Sequence, residues 1–172
     1  MDKITSRHIK LALLEYFRYR RQFIVSTEVF TAGGIGDIVA HNDKTYIEVE
    51  IKISKSDLYN ELRNKKHKHN FCFKEYDNGH YRVPNKFYFC VPIDLVDKAK
   101  SLIKKLNPKY GLMVYLGDSY HSISAISVIK PAGYIHKNSV PEIVKYKILK
   151  RLSSEVIGFY KKELKGINYE SD

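Results

Sequence analysis

Apolar and charged residues alternate without a break from Ile47 to Ile53. Isoleucine and valine take the odd positions, and Glu48, Glu50 and Lys52 take the even ones. This period of two predicts a β-strand with one apolar face and one charged face. Side chains two apart on one strand face lie roughly 6 to 7 Å from each other, so the two glutamates repel. The charged face is therefore expected either to meet solvent or to serve a function.

The rest of the chain predicts further strands and four helices. Runs rich in β-branched and aromatic residues predict strands over 23–30, 37–40, 86–92, 112–116 and 123–129. Apolar residues at helical spacing predict helices from about residue 6 to 21, from Ser54 onwards, over 93–106, and from about 139 to 166. This order predicts an α/β fold with a mixed central sheet flanked by helices, including a C-terminal helix. One domain over 1–172 is expected, with a basic loop insertion at about 66–85.

Two local patterns refine this prediction. The glycines between Thr31 and Gly36 predict a tight hairpin turn that needs positive φ. They do not form a nucleotide-binding loop, because the Lys-Ser/Thr pair is missing and a strand follows. The last helix carries an apolar stripe that is expected to pack on the core. Its members are Val144, Ile148, Leu152, Val156 and Tyr160.

Charge narrows the range of partners. The net charge is +11, from 30 Lys and Arg against 19 Asp and Glu. Such an excess is typical of a protein that binds a polyanion, although excess lysine also aids solubility. Two cysteines are too few for a disulfide framework, and no apolar run is long enough for a signal peptide or a membrane span. We therefore expect a cytoplasmic protein with no membrane partner.

The strand before the charged one carries a further acid, Asp37. If the two strands pair as a hairpin, its carboxylate can lie beside that of Glu50, with Lys52 at the edge of the pocket. Oxygen ligands of this kind suit Mg²⁺, which typically binds through one or two carboxylates and keeps several waters. A lysine supplies a compact positive charge near an attacked phosphorus. These parts suffice for metal-assisted phosphodiester hydrolysis.

The arrangement resembles the PD-(D/E)xK nuclease superfamily, which places a metal-binding acid in one strand and Glu-x-Lys in the next. The matching residues are Asp37 and Glu50-Ile51-Lys52, although Ile35-Gly36 stands where the motif has its proline. Later segments are similar to uncharacterised phage and bacterial members and to MmcB-like DNA-repair nucleases. These segments are Ser54–Leu58, Lys65–His69, Pro84–Phe89, Tyr110–Val114 and Ile129–Ala132.

The resemblance implies a restriction-endonuclease-like fold with an αβββαβ core. It further implies a Mg²⁺-dependent DNA endonuclease of phage or bacterial DNA processing or repair, with Mn²⁺ able to substitute. Asp37, Glu50 and the backbone carbonyl of Ile51 would hold the metal, and Lys52 would stabilise the attacking hydroxide. Accessory acids are expected among Glu48, Glu28 and Glu15, the last because some members of the superfamily use an acid of the first helix.

Basic residues around the helix after Lys52 are the expected DNA contacts, because cations there are well placed to track a phosphate backbone. They are Lys55, Arg63, Lys65, Lys66 and Lys68, and the uncharged Ser54 at the start of the helix is expected to contact DNA with them. A non-catalytic DNA-binding or phage-host interaction protein that keeps the fold is the alternative. RNA stays open as a substrate, since the metal chemistry is indifferent to the sugar. The oligomeric state, a homodimer included, is also left open.

Overall fold

The computed structural model describes residues 4–72, 83–117 and 124–167, where a six-stranded sheet lies between helices. The strands are β1 (Ile24–Thr31), β2 (Gly34–His41), β3 (Tyr46–Ile51), β4 (Lys86–Pro92), β5 (Gly111–Tyr115) and β6 (Ile126–Lys130). The helices are α1 (Ser6–Glu15), α2 (Lys55–Asn64), α3 (Val96–Leu106) and α4 (Glu142–Ile167). The predicted α/β class, with its αβββαβ order, mixed sheet and C-terminal helix, is confirmed.

The sheet follows chain order, from β1 at one edge to β6 at the other. The first three strands pair antiparallel, β3 pairs parallel with β4 and β4 with β5, and β6 returns antiparallel. The two parallel connections carry α2 and α3. Both helices therefore begin at the edge of the sheet where β3 and β4 have their carboxyl ends.

Each face of the sheet has its own apolar core. On one face, α1 packs against the odd positions of β3, namely Ile47, Val49 and Ile51. On the other face, α2 and α3 cover Phe87 and Phe89 of β4. The first turns of α4 cover β1 and β2 beside them. The apolar face predicted for β3 is thus confirmed as core.

The predicted helix starts agree with the observed caps. The backbone amide of Thr5 donates to His8 Nδ1 at 3.1 Å before α1. Ser54 Oγ accepts from the amide of Asp57 at 3.1 Å and caps α2, as its sequence pattern indicates. Beyond Glu15, α1 continues as a π-helical turn over Tyr16–Arg20, so the helical segment ends close to the predicted position.

The glycine-rich segment forms the predicted hairpin turn between β1 and β2. Gly34 has φ +112°, a backbone conformation that favours glycine. Thr31 Oγ1 donates to the carbonyl of Gly34 at 3.0 Å and closes the turn.

Helix α4 corrects one prediction. Val144 and Ile148 are buried and Leu152 is half-buried, but Val156 and Tyr160 are 54% and 60% exposed. A helix of 26 residues is about 39 Å long, whereas β1 with 8 residues spans about 26 Å. The stripe thus packs on the core only while α4 crosses the sheet. No helix in the described ranges is long and apolar enough to span a membrane.

The basic insertion predicted at about 66–85 lies only partly within the described residues. After α2 the chain bends at Lys65 and becomes helical again, with a π-helical turn over Lys68–Cys72. Residues 73–82 lie outside the described ranges.

Candidate functional site

The charged face of β3 is buried rather than open to solvent. Glu48, Glu50 and Lys52 are 0%, 1% and 4% exposed. Burying a charge is costly unless it is paired and hydrogen-bonded. The residues that pair with this face therefore define the site, and they come from α2 and from the turn that follows it.

Lys68 lies between the two glutamates. Its Nζ donates to Glu48 Oε1 at 2.6 Å and to Glu50 Oε1 at 2.5 Å. The stem crosses the β1–β2 turn, where a Cβ on Gly33 would lie 2.4 Å from Lys68 Cγ. Glycine at position 33 thus makes room for the lysine. The prediction that Lys68 contacts DNA is wrong for this structure, because its ammonium group is enclosed by carboxylates and its side chain is 4% exposed.

Lys52 and Lys65 meet the other side of Glu50. Glu50 Oε2 accepts from Lys65 Nζ at 3.0 Å and from Lys52 Nζ at 3.3 Å. Lys52 Nζ also lies 2.7 Å from Glu61 Oε2 on α2, and 4.0 Å from Asp57 Oδ1. Lys52, proposed from sequence as the catalytic lysine, is thereby held between a strand glutamate and a helix glutamate.

Glu61 is in turn fixed by a buried histidine. His69 Nε2 donates to Glu61 Oε1 at 2.9 Å, and His69 Nδ1 lies 3.0 Å from the hydroxyl oxygen of Tyr110. The rings of Phe87, Phe89 and Tyr110 surround the imidazole at centroid distances of 5.7, 6.2 and 5.4 Å. Glu61 itself is 0% exposed, and the exclusion of water strengthens its ion pairs.

Burial and ion pairing have opposite effects on the pKa values of Glu61 and Lys52. Burial raises the pKa of Glu61, but hydrogen bonds from His69 and Lys52 outweigh it and lower the pKa to about 2. Burial lowers the pKa of Lys52, but the charges of Glu50 and Glu61 raise it to about 12. Both groups are therefore charged at neutral pH, and Lys52 is a fixed cation rather than a proton carrier.

The two strand glutamates differ from each other. Burial raises the pKa of Glu48, and the charge of Lys68 only partly opposes it. Burial also raises the pKa of Glu50, but Lys68 and Lys52 together bring it below its ordinary value. Glu50 is thus the more firmly ionised of the two, which suits a cation ligand.

Asp37 lies where the pairing of β2 with β3 ends, just beyond the Ile38–Val49 pair. Its Oδ2 accepts from the backbone amide of Ile51 at 2.8 Å, so the side chain replaces a missing strand partner. Burial raises the pKa of Asp37, and the neighbouring charge of Glu50 raises it further. The structure therefore brings together Asp37 and Glu50, as the sequence predicts.

This carboxylate pair fits a hard divalent cation by its donor chemistry. A bound cation would remove the repulsion between the two neighbouring carboxylates. The backbone carbonyl of Ile51, a further oxygen ligand, lies at the same strand end. The described part of the chain has no group of three or more His, Cys, Asp or Glu side chains that could hold a metal. The fit is thus to Mg²⁺ or Mn²⁺ with water ligands. It requires Lys68 to release Oε1 of Glu50, or Lys65 and Lys52 to release Oε2.

The structure does not bring Glu15 to this cluster, whereas it places Glu28 opposite Asp37 in the register of β1 and β2. Glu28 pairs with Lys10 at 2.8 Å and with Arg151 at 2.9 Å, on the exposed side of β1. Glu15 lines a cavity beside Ile24, at the end of β1 away from the strand end that holds Asp37. Of the three expected accessory acids, Glu48 is paired within the cluster and Glu28 lies at its edge, where Lys10 pairs with Glu28 and its charge also acts on Asp37.

The predicted DNA contacts divide into three groups. Lys55, Arg63 and Lys66 are exposed, as a phosphate contact requires. Lys65 and Lys68 are engaged by the buried glutamates. Ser54 is used as a helix cap.

Sequence reasoning missed Glu61, His69 and Tyr110. Glu61 lies three residues after Leu58 and four before Lys65, so all three share one face of α2. A glutamate on the apolar face of a short helix, one turn from a lysine, is the signal that could have revealed it. The partners of His69 are distant in sequence, and no local pattern indicates them.

No protein-family model matches the sequence, and no curated protein matches it. Among solved structures, the fold is similar to that of the SPO1766 protein of unknown function from Silicibacter pomeroyi. The TM-score is 0.64 at 12% identity, over 95% of this chain and 96% of that chain. At this identity the likeness shows the fold alone: a mixed six-stranded sheet flanked by helices, with a C-terminal helix.

Proposed function

We propose that the protein is a divalent-metal-dependent nuclease that hydrolyses phosphodiester bonds of DNA. The observation that carries this proposal is the convergence at one strand end. There the Ile51 amide holds Asp37 beside Glu50, and Lys52 Nζ lies 3.3 Å from Glu50 Oε2. Two acids and a lysine in this arrangement are the parts that metal-assisted phosphodiester hydrolysis needs.

Each residue has a role that follows from its surroundings. Asp37 and Glu50 would hold Mg²⁺ or Mn²⁺, which when bound supplies a Lewis acid and an activated water. Lys52 is held charged beside Glu50 and stabilises negative charge developing on the phosphate. Glu61 orients Lys52 through the 2.7 Å ion pair.

The overall charge supports a polyanionic substrate. The chain carries a net charge of +11, while the acids at the site are buried and paired with lysines. Negative charge is thereby kept from the surface that a nucleic acid would approach. Among the expected DNA contacts, Lys55 lies three residues after Lys52, at the start of α2, and its side chain is exposed.

The proposal is tested by incubating the protein with supercoiled plasmid and with linear single- and double-stranded DNA, in Mg²⁺, Mn²⁺ or EDTA. Cleavage is expected with metal, none with EDTA, and none with Lys52→Ala. The matched control is Lys104→Ala, an exposed lysine of α3 outside the cluster and outside the expected DNA contacts, which should cleave as the wild type does. Nicking against end-trimming identifies an endonuclease or an exonuclease. Equal activity in Lys52→Ala and wild type would refute the assignment.

One observation favours a second candidate, a nucleic-acid-binding protein without catalysis. Both oxygens of Glu50 accept from lysines, Lys68 on one side and Lys65 on the other. A site that keeps these ion pairs permanently has no open position for a metal. Binding to DNA that is equally strong with Mg²⁺ and with EDTA, with no cleavage of DNA or RNA, would support this candidate over the nuclease.

A further inference from the structure

A groove of about 310 Å³ separates α2 from α3. Both helices begin at the edge of the sheet where β3 and β4 end, which is also where Lys52 lies. The groove therefore starts beside the candidate active site and runs away from it along the two helices. None of the roles described so far uses it.

Three lysines line this groove, Lys55 from α2 and Lys98 and Lys105 from α3. Lys55 lies so close to Lys98 that the contact lowers the pKa of Lys98. Within the described ranges, no carboxylate forms an ion pair with Lys55 or Lys98. Two neighbouring ammonium groups without a counter-ion repel each other, and an anion between them would remove the repulsion.

The acidic residues near the groove do not supply that anion. Asp97 lines the groove, but its Oδ1 lies 3.2 Å from Lys100 Nζ. The charge of Asp94 raises the pKa of Lys98, but by less than the contact with Lys55 lowers it. The rim of the groove thus keeps a positive balance.

The floor of the groove is apolar. Leu58 and Leu102 are buried at its base, and Leu62 lies further along. Tyr59 stands in the groove with 57% of its surface exposed. A positive rim with an exposed aromatic ring is the combination that binds single-stranded nucleic acid, because the lysines contact phosphates and the ring stacks on a base.

We infer that the groove between α2 and α3 binds one strand of nucleic acid that leads to or from the candidate active site. Lys55, Lys98 and Lys105 contact its phosphates, and Tyr59 stacks on a base. Lys98 and Lys105 are seven residues apart on one helix, or about 10 Å, so they contact different phosphates. The inference rests on the proposed function in taking nucleic acid as the substrate.

The test measures binding without metal, so that cleavage plays no part. Fluorescence anisotropy of a labelled single-stranded oligonucleotide is recorded in EDTA over a range of salt concentrations. The slope of log affinity against log salt should fall by about 1.4 in Lys98→Ala/Lys105→Ala, because each phosphate contact on a single strand contributes roughly 0.7. Tyr59→Ala should weaken binding on the order of tenfold.

The matched control is Lys104→Ala/Lys161→Ala, which removes the same charge from exposed helical positions outside the groove. Its slope should equal that of the wild type. All substituted side chains are exposed, and circular dichroism checks that each variant folds.

An unchanged slope in Lys98→Ala/Lys105→Ala, an equal fall in the control, or no oligonucleotide binding by the wild type would overturn the inference. Weakened binding to duplex DNA with no effect of Tyr59→Ala would overturn the single-strand assignment. The outcome is separate from that of the nuclease proposal. Metal-dependent cleavage with unchanged slopes would refute the groove inference alone. A reduced slope in the groove variant, with no cleavage by the wild type, would refute the nuclease proposal alone.

Discussion

Replacing Lys68 with methionine tests whether the buried cluster is held together by its central cation. Methionine keeps an unbranched stem over Gly33 but removes the ammonium group. Glu48 and Glu50 then lose the donor that lies 2.6 and 2.5 Å from their oxygens. Glu50 keeps Lys52 and Lys65, whereas Glu48 is left buried without a cationic partner.

Breaking a buried pair by removing one partner costs about 3 to 5 kcal/mol. This is a large part of the roughly 5 to 15 kcal/mol by which a domain is stable. For a chain of 172 residues each kcal/mol shifts the melting temperature by about 2 to 4 °C. We therefore expect Lys68→Met to melt roughly 6 to 20 °C below the wild type.

Urea and thermal unfolding followed by far-ultraviolet circular dichroism measure the effect. The control is Lys66→Met, an exposed position two residues away, which should stay within about 0.5 kcal/mol of the wild type. The double variant Lys68→Met/Glu48→Gln should recover part of the loss, because it removes the unpaired charge. A Lys68→Met protein as stable as Lys66→Met would refute the account of the cluster.

Three further predictions follow from the same contacts. The pKa of Glu61 is lowered from 4.5 to about 2, so its ionised form contributes about 3 kcal/mol to the free energy of unfolding. This contribution is complete above the unfolded pKa of 4.5 and is lost as the pH falls towards the folded pKa of about 2. The free energy of unfolding from urea titrations should therefore fall more steeply over this window in the wild type than in Glu61→Gln, and parallel curves would contradict it. Gly33→Ala should lose about 1 to 3 kcal/mol, because the new Cβ would lie 2.4 to 2.7 Å from three carbons of Lys68. The control is Gly158→Ala in α4, where a Cβ meets nothing within 4 Å; this variant should gain up to about 1 kcal/mol of stability. Equal losses of stability in both glycine variants would show that the loss comes from restricted backbone freedom and not from a clash with Lys68. Glu15→Gln should cleave DNA as the wild type does, since Glu15 lies at the far end of β1; lost cleavage in a folded Glu15→Gln protein would restore it as an accessory acid.

The alternation from Ile47 to Ile53 predicts the central strand correctly, because burial of one face imposes a period of two. The same pattern cannot tell whether the charged face is solvated. Glu48 and Glu50 are covered by Lys68, which follows them in the sequence by about twenty residues and lies beyond α2. Long-range pairing of this kind leaves no local pattern in the sequence. From sequence alone, Lys68 and Lys65 are therefore predicted to belong to a basic surface.

The catalytic candidates were easier to predict than their surroundings. Asp37 and Glu50 lie on strands joined by a short turn, so their closeness follows from hairpin pairing. Glu15 lies at the other end of β1, and the carboxylate of Glu28 pairs with Lys10 of α1 and Arg151 of α4, so the place of both acids depends on how those helices pack against β1. The exposed second half of α4 shows the same limit, since periodicity gives the apolar stripe but not the length of sheet available to cover it.

The most direct test of the account is a calorimetric titration of the protein with Mn²⁺, repeated for Asp37→Asn and for Asp94→Asn. Asp94 is exposed and serves as the control for loss of one carboxylate. We expect the wild type and Asp94→Asn to bind Mn²⁺ alike, and Asp37→Asn to bind it roughly tenfold more weakly or worse. Absence of Mn²⁺ binding by the wild type, or equal binding by Asp37→Asn, would contradict the claim that Asp37 and Glu50 form a metal site.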